Sequence, residues 1–168
     1  MITKSLAIFL AIFAISIMPG SRSQKHMRYS VLAFKYVGWS DKPITPIVIS
    51  DSEAGAEWYR TAILKQDKSD LADVHVVNAD LLAQLVEEAE VFNREQDATS
   101  NSPKTVSVTI ITPQKKDSFR YDTGSAISQL KSLQKHFRTD EPLCWDLLHF
   151  EKRIRVTGAG FQSTPTVP

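Results

Sequence analysis

Cysteine is nearly absent from this chain. Cys144 stands alone among 168 residues, so no internal disulfide can form and stability has to come from packing. Histidine is scarce too. His26, His75, His136 and His149 never fall two or four positions apart, and no Cys-x-x-Cys accompanies them. A zinc centre, which needs three or four converging ligands, therefore has no spacing behind it, and no metal site is expected. Phosphate-cradling glycine loops are missing as well. Gly158, Ala159 and Gly160 lead into neither a Lys-Ser/Thr pair nor a helix. Gly124 and Ser125 lack the second glycine of a serine-hydrolase elbow. No cofactor is expected from these patterns. An excess of one charge is also lacking, since the formal net charge is +1. A near-neutral chain has no electrostatic reason to bind a phosphate backbone, which excludes nucleic acid as a partner. No Asn-x-Ser/Thr acceptor exists, because Asn101-Ser102 is followed by Pro103. That absence leans toward a bacterial envelope or secreted protein rather than a glycosylated one.

Long apolar runs are limited to one, and it is informative. Lys4 precedes an almost unbroken apolar stretch from Leu6 to Met18; Pro19 and Gly20 break it, and Ser21 and Ser23 supply a small-x-small pattern. This is the layout of a secretory signal peptide spanning residues 1–23. At about 13 residues the run is shorter than the ~20 that span a hydrocarbon core, so stable membrane insertion after cleavage is not expected. The alternative is an anchor formed by residues 5–18. A second alternative starts the protein at Met27, directly before a good strand, which would leave it in the cytosol. Cleavage after Ser23 leaves about 145 residues, enough for one core. It removes Lys4 and Arg22 and no acid, taking the net charge to about −1.

The mature chain reads as one α+β domain over residues 24–156, with strands and helices in the order ββαβαββαβ. Arg28 to Trp39 predicts a strand with apolar residues on both faces, hence an inner position covered on both sides. Ile44 to Ile49 predicts a second, with Pro46 placing it at an edge or marking its start. Ser50 and Glu53 have capping-box spacing for a helix over 53–65, which Gly55 weakens. Val74, Val76 and Val77 make a short strand around His75. Asn78 caps the clearest helix, striped by Leu81, Leu82, Leu85, Val86, Ala89 and Phe92. Thr105 to Thr112 is the clearest strand, and Phe119 to Asp122 returns beside it as a hairpin. Thr123 or Ser125 caps a third helix, buried through Ile127, Leu130, Leu133 and Phe137. Leu148 to Val156 alternates, which predicts a last strand with His149, Glu151, Arg153 and Arg155 on a solvated face. Residues 157–168, poor in anything to bury, predict a disordered tail. The expected architecture is a mostly antiparallel sheet of five to six strands with about three helices packed on it.

No catalytic residue stands out. Cys144 has His75, His136 and His149 as candidate partners, but no signature context, and a buried small hydrophobe beside Trp145 explains it more simply. Surface features speak for binding instead. The turn carrying Trp39 and Asp41 would suit sugar or protein contact if the tryptophan were exposed, although a lid folded onto the core is the commoner fate and the favoured reading. Arg153 and Arg155 offer a second contact surface, or else guard a sheet edge. The expectation is a small exported, non-catalytic binding or interaction module of the cell envelope or extracellular space, with a protein or small ligand as partner. The alternative is an exported hydrolase or transferase assembled from distant residues, Cys144 with a histidine.

Overall fold

The computed structural model describes residues 28–65, 71–96 and 104–159. The signal segment, the alternative start at Met27, most of the turn at 65–70, the loop at 97–103 and the tail from 160 lie outside the described residues. Five strands and four helices follow in the order β1 (Val31–Val37), β2 (Ile47–Ser50), α1 (Glu53–Ala62), β3 (Asp73–Val76), α2 (Ala79–Glu95), β4 (Thr105–Ile111), β5 (Lys116–Asp122), α3 (Thr123–Gln134) and α4 (Pro142–Ala159). The strands form one sheet in the order β3-β2-β1-β4-β5.

The two apolar faces of β1 explain its central place. Leu32, Phe34 and Tyr36 join a large core with α2, α3 and α4, while Val31 and Ala33 join a smaller one with Ala56 and Tyr59 of α1. One helix therefore covers one face of the sheet and three cover the other. β1 pairs antiparallel with both β2 and β4, and β4 pairs antiparallel with β5. The pairing of β2 with β3 is parallel, in the register Ile47 to Asp73, so the sheet is mixed. A parallel neighbour needs a crossover, and α1 supplies it. Pro46 sits just before β2, where its missing N–H costs nothing, and its carbonyl accepts from Asp73 N.

Several caps differ from the sequence reading. Ser52, not Ser50, caps α1 by accepting from Gly55 N. Ser50 is the last residue of β2 and its hydroxyl donates to Ser30 O. Asp122 rather than Thr123 or Ser125 caps α3, accepting from Ser125 N. Asn78 caps α2 as expected.

The last element overturns the expected ending: Pro142 to Ala159 is a helix, and no strand forms over 148–156. The order is ββαβαββαα. Leu143, Leu147, Phe150 and Ile154 are buried, a 4-3-4 spacing that marks one helical face. The apparent alternation depended on Leu148 and Val156, which are 42% and 68% exposed. Proline at the first helical position loses no hydrogen bond and presets the backbone, which accounts for the start. The same helix runs into the first residues assigned to a tail. Glu151, expected on a solvated face, is buried and bonded to Gln134 and Arg155. No described helix is long and apolar enough to cross a membrane.

Candidate functional site

Chain geometry at the end of β1 creates a groove. Gly38 has φ 150°, a backbone state that side-chain-bearing residues avoid, and it turns the chain out of the strand. The loop beyond is tied down from three sides. Tyr36 OH donates to Trp39 O at 3.5 Å, Ser40 Oγ donates to Lys42 O at 2.7 Å, and Arg153 Nη2 donates to the same Lys42 oxygen at 3.2 Å. The backbone is held while the Trp39 indole is 74% exposed. The favoured reading of Trp39 as a core lid is thus corrected: the loop leads away from the sheet, and Tyr36 occupies the buried place instead.

The last two turns of α4 form the opposite wall, with Lys152, Arg153, Val156 and Thr157 facing Trp39, Asp41 and Lys42 across about 560 Å³. That volume falls in the range of small-molecule sites. Lys104, just before β4, closes one end and donates from Nζ to Thr157 O at 2.6 Å. It satisfies a carbonyl near the end of α4, where a cation is favoured by the helix dipole. Four cations and one carboxylate thus line a groove on a chain of nearly balanced charge. Lys42 and Lys152 have no ion-pair partner among the described residues.

Of the four residues singled out from sequence, the fold brings Trp39, Asp41 and Arg153 together. Arg155 is placed elsewhere. It pairs with Glu151 at 2.5 Å and borders a separate hollow with Trp145 and His149. Neither arginine guards a strand edge, because the element carrying them is helical. Lys42, Lys104 and Lys152 were missed as site residues. Scattered lysines carry no local pattern, and only the helical reading of 142–159 would have set Lys152 beside Arg153 on the face that meets the loop.

A third hollow, of about 440 Å³, shares Arg153 with the groove and is lined by Asp73, Asp146, His149 and Phe150. His75 on β3 meets Asp146 on α4, Nε2 to Oδ2 at 2.8 Å. Burial pushes the Asp73 carboxyl above its usual range, the charge of Asp146 adds to this, and His75 and His149 oppose it. Cys144 lies apart from this cluster, only 3% exposed, and makes no hydrogen bond to a histidine among the described residues. His136, another of its candidate partners, is engaged by Glu88 of α2. Among the described residues no three His, Cys, Asp or Glu side chains are grouped to hold a metal ion. Comparison with protein-family models, curated proteins and solved structures found nothing that matches this chain.

Proposed function

We propose that this chain is a non-catalytic binding module whose groove between the Trp39 loop and the end of α4 holds a negatively charged ligand. The observation that carries the reading is the pairing of a fixed loop with an exposed indole. A large aromatic is usually buried, and one carried into solvent on a hydrogen-bonded loop is suited to contact. Around it stand Lys42, Lys152 and Arg153, whose charges attract an anion at short range although the whole chain is near neutral. Place of action follows from the first 23 residues: an exported protein, periplasmic or secreted, acting on a ligand outside the cytoplasm.

A thermal-shift screen of anionic and neutral small molecules against the full chain tests the binding reading. Ligand bound only by the folded state raises Tm with concentration. The expected hits carry negative charge and lose their shift in a Lys152→Gln, Arg153→Gln double variant. A screen in which only neutral compounds act, or in which the double variant responds unchanged, would overturn it. Intact mass of the exported fraction tests the export reading, with a product beginning near Gln24 expected and a cytosolic product beginning at Met27 opposing it.

A catalytic reading has one observation in its favour, the raised Asp73 carboxyl beside the His75–Asp146 pair. A carboxyl pushed up by burial often marks an acid–base site, though structural ion-pair networks perturb carboxyls as well. Its thiol version has no accessible nucleophile, because Cys144 is buried. Turnover of chromogenic esters or glycosides that disappears in Asp146→Asn would favour catalysis over binding alone.

A further inference from the structure

We infer that the ligand of the Trp39 groove is an acidic saccharide, a sugar chain whose ring lies against the indole while its carboxylate or sulfate is held by Arg153 and Lys152. The inference rests on the binding reading above and narrows it to one class of anion.

Three features select that class. The first is the indole itself, a flat apolar surface on an anchored loop. Such a face complements the C–H face of a pyranose, and the hydrogen bonds that hold the loop backbone lower the entropy lost on binding. The second is the form of the positive charge. Arg153 uses one Nη2 hydrogen bond on Lys42 O, and the remaining edge of its five-donor guanidinium suits a planar or tetrahedral oxyanion. Lys42 and Lys152 add point charges unspent on any ion pair among the described residues, whereas Lys104 is already bonded to Thr157 O. The third is Asp41, a carboxylate in a cationic groove. It accepts hydrogen bonds from hydroxyls, which a sugar presents around every ring.

Other anionic partners fit less well. An extended peptide gains affinity by adding to a free strand edge, and β1, the strand beside the groove, is paired on both sides. An amphipathic helix needs a row of apolar contacts, and here the apolar lining consists of Trp39 and Val156. A single-stranded DNA would stack on Trp39 but has no free hydroxyls along its chain to donate to Asp41.

Calorimetric titration of the full chain at low salt decides the matter with five probes: trigalacturonate for carboxylates, a heparin tetrasaccharide for sulfates, maltotriose as the neutral sugar, hexaglutamate and a dT hexamer. Trigalacturonate is expected to bind at least tenfold more tightly than maltotriose, hexaglutamate and the dT hexamer. Heparin binding in place of trigalacturonate would still support an acidic saccharide and assign sulfate as its acid. Trp39→Ala should weaken the bound saccharide tenfold or more with Tm unchanged, because the indole is exposed. Equal or tighter binding of hexaglutamate or dT, or of maltotriose, would overturn the saccharide assignment, as would an unaltered affinity in Trp39→Ala. Hexaglutamate or dT binding lost in the Lys152→Gln, Arg153→Gln variant would leave the anion-binding reading standing alone. Absence of binding by all four anions would remove both.

Discussion

At the residue scale, close approach matters more than propensity. Gly55 lies inside α1, where alanine would ordinarily gain up to about 1 kcal/mol. A Cβ there would stand 2.6 Å from Ser50 Oγ and 2.7 Å from Tyr29 Cβ, distances that force the backbone of α1 away from the sheet. Gly55→Ala is therefore expected to destabilise by about 1–3 kcal/mol in urea unfolding, and a gain in stability would show that α1 docks less closely. Glu88 gives a second residue-level expectation. Burial pushes its carboxyl up, but hydrogen bonds from Ser132 and His136, with the charges of His136 and Lys135, carry it below its ordinary 4.5. A carboxyl that ionises more readily in the folded state stabilises fully above 4.5 and loses that contribution as pH falls through the lower folded value. Wild type should lose more stability than Glu88→Gln between neutral pH and that acid range; parallel stability curves would contradict the assigned contacts. Neither effect was legible in the sequence. A glycine in a helix looks like a flaw until the strand beneath it is placed, and Glu88 looks like one more member of an acidic helix face.

Among the elements, α4 separates local pattern from tertiary outcome. A strand over 148–156 would turn Leu148 inward, whereas the helix buries Leu147 and leaves Leu148 half outside. Leu147→Ala should cost about 2–5 kcal/mol, the usual result of emptying a packed leucine site. Leu148→Ala should stay within about 0.5 kcal/mol, as exposed substitutions do. The reverse ranking in chemical denaturation would restore the strand. The alternation exists only when the count starts at Leu148. From Leu143 onward the 4-3-4 spacing is unbroken, while the alternation is interrupted at Lys152. The other helices were readable from their stripes, and in α2 the cap agreed as well, Asn78 with Leu82, Leu85, Val86 and Ala89. Strand identity was readable for β1 from its two apolar faces and for β4 from β-branched alternation, and so was the hairpin of β4 with β5, but the other pairings were not. The parallel pairing of β3 with β2 is set by where α1 leaves the chain, which no local pattern records.

For the molecule as a whole, coverage of the sheet is uneven. β1 is paired on both edges and covered on both faces, while β3 has alternate residues exposed and β5 carries charged residues along its length. Amide hydrogens of β1 should exchange only by global unfolding, and those of β3 and β5 by smaller openings. Equal protection across all five strands would argue against this layering. The groove was legible in part from sequence, because Trp39 and Asp41 share a turn. Its other wall was not, because Arg153 and Lys152 come more than a hundred residues later and meet the loop only through the docking of α4. That docking also gives the molecule a clock. The chain's one thiol is sealed on α4, so an alkylating reagent reaches Cys144 only in the moments when the helix lifts. The ratio of its alkylation rate to that of an unprotected thiol therefore gives the fraction of time α4 stands away from the core. A ligand bridging loop and helix would slow that clock without touching the cysteine.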